Sequence, residues 1–231
     1  MSLFINPRSP AAEAFRTLRT SLHYTADRDN TRTVLVTSVN PSDGKTIVAT
    51  NLAASLAQAG ERVLLVDADI RKPRCHRVFS LGNRVGLTNV LVESLDLDQV
   101  VQAAEAKGLY VLTSGPIPPN PAELLDSQAM TDLLAKVRDQ YDHVLVDSPP
   151  AGVLADAAIL ASKVDGIIMV VSAGETRVDH AKEVKELLER AQGRILGVVL
   201  NKVRYSTRDY HYRYYYEDSG SAKSRSEDTA E

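Results

Sequence analysis

Short uninterrupted apolar runs alternate with longer stretches of helical period along this chain. The runs are Val34-Leu35-Val36, Arg62-Val63-Leu64-Leu65-Val66, Leu109-Tyr110-Val111-Leu112-Thr113, His143-Val144-Leu145-Val146, Gly166 to Val171 and Ile195 to Leu200. Runs of this kind mark strands buried on both faces of a parallel sheet, which helices must then cover. Helical spacing occupies 9–24, Ile47 to Ala59, Gly86 to Val92, Leu97 to Ala106, Ala122 to Leu125, Ser127 to Gln140 and Val178 to Gln192. The alternation predicts an α/β fold with a mostly parallel central sheet flanked by helices. In the first helix Ser9 is placed as N-cap and Pro10 at the first helical position. Ala14, Leu18 and Leu22 share one face there, with Phe15 beside them. Glu13, Arg16 and Arg19 recur at a spacing of three, so they are surface neighbours. The plain reading of that trio is a solvated charged face.

The polar residues of most interest stand where strands end. The first strand runs into Ser38-Val39-Asn40-Pro41-Ser42-Asp43-Gly44-Lys45-Thr46, and a helix starts at Ile47. Strand, loop and helix in that order are the setting of a phosphate-binding loop. Its backbone amides and the helix dipole favour phosphate oxygens. Lys45 is placed to reach the β- and γ-phosphates, and the Thr46 hydroxyl to ligate Mg²⁺. Val39 stands where the full pattern has Gly. The second strand leaves as Asp67-Ala68-Asp69-Ile70-Arg71. Two carboxylates at i and i+2 on an outgoing strand point toward the carboxyl end of the sheet, where open α/β sheets bind ligands. A helix cap accounts for one of them more easily than for both. The fourth strand ends in Asp147-Ser148-Pro149-Pro150, and its Asp suits Mg²⁺ held through water. Asn201 closes the last strand, either against an adenine edge or in a turn. Arg71 suits a phosphate or a structural carboxylate. Four prolines make 114–121 a rigid loop.

Composition narrows the field. A chain of 231 residues suits one α/β domain. A net charge of −3 gives no general attraction to nucleic acid or to an anionic membrane. The single cysteine, Cys75, rules out an intrachain disulfide and fits a reducing compartment; Arg74 and His76 beside it could lower the thiol pKa, but an incidental thiol is the preferred reading. No stretch has the length of a transmembrane helix, no signal peptide opens the chain, and no zinc-type Cys/His spacing occurs. From Arg204 aliphatic residues nearly vanish, which divides the chain into a domain at 1–203 and a tail at 204–231. Tyr205, Tyr210, Tyr212, Tyr214, Tyr215 and Tyr216 crowd the start of the tail, and its remainder is Ser-, Lys- and Glu-rich and expected to be disordered. With no aliphatic partners the tyrosines are not core. They suit either a sticky aromatic-basic tail or a set of phosphate acceptors.

With these motifs in view, nearly the whole chain resembles the bacterial tyrosine kinases of capsular and exopolysaccharide synthesis (BY-kinases). The likeness rests on the loop Asn40 to Thr46, the Walker A′ segment Leu64 to Arg71 and the Walker B segment Val144 to Pro149. It extends to Gly115 to Pro121 with Ala122-Glu123-Leu124-Leu125, and to the tyrosine cluster. Where the family commonly has Pro-Gly-Glu-Gly-Lys, this chain has Ser42 and Asp43, so Ser42 must accept a positive φ.

The resemblance implies a three-layer P-loop NTPase fold. ATP and Mg²⁺ are bound through Pro41, Ser42, Asp43, Gly44, Lys45, Thr46 and Ile47, with Asn201 near the base. Thr46, Asp69 and Asp147 serve the metal, and Lys45, Asp67, Asp69 and Asp147 the transfer. Asp67 is the choice for accepting the tyrosine proton. The resemblance further implies a ring-like homo-oligomer joined through Glu13, Arg16 and Arg19, with each tail in a neighbour's active site. A separate transmembrane activator and a cognate tyrosine phosphatase are the implied partners, and the location is cytoplasmic, at the inner face of the plasma membrane. The rivals are the dimeric division-site and partitioning ATPases, whose signature Lys is replaced here by Asn40, and a nucleotide-dependent scaffold without tyrosine transfer.

Overall fold

A computed structural model describes residues 9–25 and 31–203. The tyrosine cluster and the rest of the expected tail lie outside the described residues. The elements in chain order are α1 (Pro10–Thr25), β1 (Thr33–Ser38), α2 (Lys45–Gln58), β2 (Val63–Asp67), α3 (Cys75–Val78), α4 (Leu87–Glu93), α5 (Leu97–Val100), β3 (Gln102–Ala103), β4 (Leu109–Leu112), α6 (Pro121–Asp126), α7 (Gln128–Gln140), β5 (His143–Asp147), α8 (Asp156–Ala161), β6 (Gly166–Ser172), α9 (Val178–Arg190) and β7 (Ile195–Asn201). The sheet order is β3-β4-β2-β5-β1-β6-β7. Every pairing is parallel except that of β3 with β4.

Strand alternation divides the apolar residues between two layers. Leu35, Leu64, Val66, Val144 and Val146 face one core, with α4, α6, α7 and α9 supplying Leu91, Leu125, Met130 and Leu188. Val34, Val36, Val63, Leu65 and Leu145 face the other, closed by α2 and by Leu22 of α1. Both faces are covered, and that is why the central strands read as continuous apolar runs. Helix α2 is rich in small residues (Ala49, Ala53, Ala54 and Ala57 are all buried), which lets it lie close on the sheet.

Ser9 does cap α1, its Oγ accepting the Ala12 amide at 3.1 Å. Within α1 the buried positions are Ala12 and Leu22, with Phe15 and Leu18 packed beside them, whereas Ala14 is exposed. The apolar stripe is therefore rotated from the expected one. The helix expected over Leu97 to Ala106 stops at Val100, and Gln102–Ala103 turns back as an antiparallel edge strand on β4. Two short helices, α3 and α8, arise where none was expected.

Candidate active site

The carboxyl ends of β1, β2 and β5 meet at the N-terminus of α2. Parallel register sets Asp67 beside Asp147 as the last residues of adjacent strands, and Val36 of β1 lies on the other side of Asp147. The loop between β1 and α2 rises over them. Gly44 takes φ 101°, and Ser42 takes φ 68°, so this serine does occupy the left-handed region. A non-glycine residue there costs about 1–2 kcal/mol. Local bonds hold the loop in that shape. Asp43 is buried; its Oδ2 accepts the Asn40 amide at 2.7 Å and its Oδ1 accepts the Thr176 hydroxyl at 3.1 Å. The Asn201 side-chain amide donates to the Asp43 carbonyl at 2.8 Å. A Cβ at Gly44 would sit 2.0 Å from Asn201 Nδ2. Asp43 and Asn201 thus brace the loop. Pro41, Ser42 and Ile47 are exposed on its rim.

Below the loop, one cation faces three acids. Lys45 Nζ is 2.8 Å from Asp69 Oδ2 and 4.0 Å from Asp147 Oδ1. The Thr46 hydroxyl donates to Asp147 Oδ2 at 2.7 Å. Asp69 Oδ1 accepts the Lys72 amide at 3.0 Å, turning the chain after β2. Asp67 is fully buried, and its Oδ2 accepts the amides of Arg74 and Cys75 at 3.1 and 2.9 Å, closing the turn ahead of α3. Its Oδ1 and the Oδ1 of Asp147 are buried without a hydrogen-bond partner.

The charge balance follows from this crowding. Burial, together with neighbouring Asp147 and against the Cys75 amide, raises the Asp67 carboxyl to about 7. Burial likewise raises Asp147 to about 6, opposed by Lys45 and the Thr46 hydroxyl. For Lys45, burial alone acts to lower the pKa, but Asp147 and Asp69 outweigh it and hold the ammonium charged. The Cys75 thiol is not lowered by Arg74 and His76, in keeping with an incidental thiol. It is wholly enclosed, and burial, with Asp67 and Asp147 adding, pushes it well above its ordinary value. Hard oxygen donors with two orphaned carboxylate atoms fit a Mg²⁺ ion, and the glycine-containing loop at a helix N-terminus fits phosphate.

Arg71 forms a two-pronged pair with the buried Asp156 of α8, at 2.6 and 3.0 Å. Of the two partners open to it, the carboxylate is the one present. Asp156 gave no sign in the sequence, because it reaches Arg71 from a separate element far along the chain. The trio on α1 is also engaged. Glu13 and Arg16 pair at 2.6 Å, and Arg19 donates to the Ser55 carbonyl of α2 at 2.7 Å. No helix among the described residues is long and apolar enough to cross a membrane.

Comparison with known proteins agrees with this geometry. The family model described as an AAA domain matches residues 32–195. The tyrosine-protein kinase YwqD of Bacillus subtilis is 44% identical over 209 residues, 90% of this chain and 88% of that one. The putative tyrosine-protein kinase CapB of Staphylococcus aureus is 34% identical over 212 residues, 92% and 93% of the two chains. The kinase domain of the Escherichia coli tyrosine kinase ETK superposes with a TM-score of 0.85 at 36% identity, covering 89% of this chain and 80% of that one. With its P-loop, its strand-end carboxylates and relatives of this kind along most of its length, the chain belongs to the bacterial tyrosine-protein kinases and is a protein-tyrosine kinase on a P-loop fold.

Proposed function

We propose that the chain is an ATP-dependent autokinase that phosphorylates its own tail at Tyr205, Tyr210, Tyr212, Tyr214, Tyr215 and Tyr216. Transfer runs in trans within a ring-like oligomer and regulates capsular or exopolysaccharide synthesis and export. What carries this reading is that Lys45 and Thr46 converge on the carboxylates of Asp69 and Asp147 at adjoining strand ends. MgATP, when bound, supplies the transferable phosphoryl group and the metal's charge neutralisation. Lys45 exchanges its Asp69 contact for phosphate oxygens, while the amides of 42–46 cradle them. Thr46, Asp69 and Asp147 would hold Mg²⁺, the hydroxyl directly and the two carboxylates through water. Oδ1 of Asp67 is the atom assigned to receive the tyrosine proton. Because Asp67 is fully buried, that role requires the turn carrying Arg74 to move aside for the incoming tyrosine. Phosphoryl transfer gains most of its rate from positioning and charge stabilisation, which suits a site with so little other chemistry.

The ring is assigned to α1 through Glu13, Arg16 and Arg19, with Arg19 also fixing α1 to its own core. The partners in this reading are a transmembrane activator, which recruits the kinase to the inner face of the plasma membrane, and a cognate tyrosine phosphatase. Full modification adds roughly −9 to −12 charge to the tail, which is expected to expel it from neighbouring sites and dissolve the ring. The test is intact mass and peptide mapping after incubation with ATP and Mg²⁺, with and without the activator's cytosolic segment. Phosphate on Tyr205 to Tyr216, absent in Lys45→Met, is the expected result. ATP hydrolysis with no phosphotyrosine under either condition overturns autophosphorylation.

A further inference from the structure

The amino end of the sheet carries a second convergence of side chains, from three segments far apart in the chain. His23 lies in the last turn of α1, Glu61 in the turn between α2 and β2, and His143 at the first position of β5. Parallel register places His143 beside Val63, two residues from Glu61. Glu61 Oε1 is 3.1 Å from His23 Nε2, and Glu61 Oε2 is 3.1 Å from His143 Nε2. The two imidazoles stand edge to face, 5.7 Å between centroids. One ligand atom from each residue can be chosen so that all lie within 4.8 Å of one another.

Three features of this cluster go beyond an ion pair. Around a tetrahedral zinc ion with bonds of ~2.0–2.2 Å, neighbouring ligand atoms stand about 3.4 Å apart; each imidazole Nε2 lies 3.1 Å from a Glu61 oxygen, a different oxygen for each. One carboxylate is shared between two imidazoles, each Glu61 oxygen facing one Nε2, and His143 Nδ1 is buried without a hydrogen-bond partner. The side chains are 11–22% exposed, which leaves a fourth position open to water. Two imidazoles and one carboxylate select transition metals over Mg²⁺, which prefers all-oxygen surroundings.

We propose that His23, Glu61 and His143 bind a divalent transition-metal ion of the zinc class, and that the ion clasps α1 to the sheet. Other attachments of α1 include the Leu22, Phe15 and Leu18 packing, the Arg19–Ser55 bond and the Ser55 hydroxyl on the Phe15 carbonyl. The ion therefore sets the stability of this helix's placement from its C-terminal end. The site is independent of the kinase reading and lies outside the nucleotide machinery.

The test is titration of the full, tag-free, chelator-stripped chain with Co²⁺, followed by Zn²⁺ competition, in the wild type and in His23→Ala, His143→Ala and Glu61→Gln. Asp67, Cys75 and Asp147 form the other candidate cluster among the described residues, so Asp147→Asn is the control. A tetrahedral Co²⁺ absorption saturating at one equivalent is expected in the wild type and in Asp147→Asn, without thiolate charge transfer. Each of the three ligand variants should weaken it by about tenfold or more, since even outer partners of metal sites act on that scale. Zn²⁺ should slow amide exchange over residues 10–25. Circular dichroism checks each variant's fold. Should His143→Ala fail to fold, the near-isosteric Glu61→Gln decides the matter. Unchanged Co²⁺ affinity in the folded ligand variants, or no stoichiometric tetrahedral absorption in the wild type, overturns the proposal.

Discussion

The two ends of the central sheet treat their acids in opposite ways. At the amino end, Asp165 Oδ2 accepts the amides of Arg32 and Thr33 at 2.9 and 2.8 Å and the Thr33 hydroxyl at 2.8 Å, with Arg138 at 3.4 Å from its other oxygen. Asp142 accepts the Arg62 amide at 2.7 Å. Burial alone acts to raise Glu61, but His143 and His23 outweigh it and hold it below the usual carboxylate range. At the carboxyl end the same residue class is raised, Asp67 to about 7 and Asp147 to about 6, because three acids share one lysine in a buried place. The first arrangement completes the strands. The second leaves carboxylate atoms unsatisfied, at a standing cost in stability, and that is the condition of a site that awaits a cation and an anionic ligand together.

The contrast can be broken most sharply at Lys45. Lys45→Met is expected to lower phosphotransfer by about 10²-fold or more, read as initial rates with saturating ATP and Mg²⁺. At the amino end the matching experiment is Asp165→Ala, which strands two backbone donors at the start of β1. It should cost about 2–4 kcal/mol in denaturant unfolding, while nucleotide affinity of the folded fraction holds. Gly44→Ala drives a methyl group against Asn201 at a positive-φ position. Strain of about 1–3 kcal/mol lowers ATP affinity roughly tenfold to a hundredfold, measurable by calorimetry.

A smaller effect sharpens the electrostatic half. Unfolded Asp67 loses its proton near its ordinary value of 3.8, whereas the folded group keeps it to about 7. Between those values the folded chain holds the extra proton, so stability contributed by this group falls as pH rises. Asp67→Asn keeps an acceptor for the Arg74 and Cys75 amides. It should flatten that fall and raise the ligand-free Tm at pH 8 by roughly 3–6 °C. A Tm unchanged or lowered at pH 8, with the pH slope intact, contradicts the raised carboxyl.

Sequence was most informative where periodicity and chemistry coincide. Continuous apolar runs exposed the buried parallel strands, and the polar residues ending them marked the carboxyl end of the sheet. It misled at Leu97 to Ala106, where Leu97, Val100, Val101 and Ala104 imitate helical spacing, although β4 recruits Gln102 and Ala103 as an edge strand. Asp43 was expected among the nucleotide-binding residues, and only the folded loop shows it enclosed between Asn40 and Thr176. The Arg71–Asp156 pair and the His23–Glu61–His143 cluster were hidden for one reason. Their members come from separate elements, and a linear pattern carries no trace of which loops the sheet brings together.

The measurement that bears most directly on trans autophosphorylation is a mixing experiment. A Lys45→Met chain with its native tail is combined with an otherwise active chain whose six tail tyrosines are all Phe, in ATP and Mg²⁺. Peptides over Tyr205 to Tyr216 are then mapped by mass. Phosphate on the tail of the Lys45→Met chain is the expected result. A wild type that labels itself while the mixture stays unlabelled contradicts transfer between subunits.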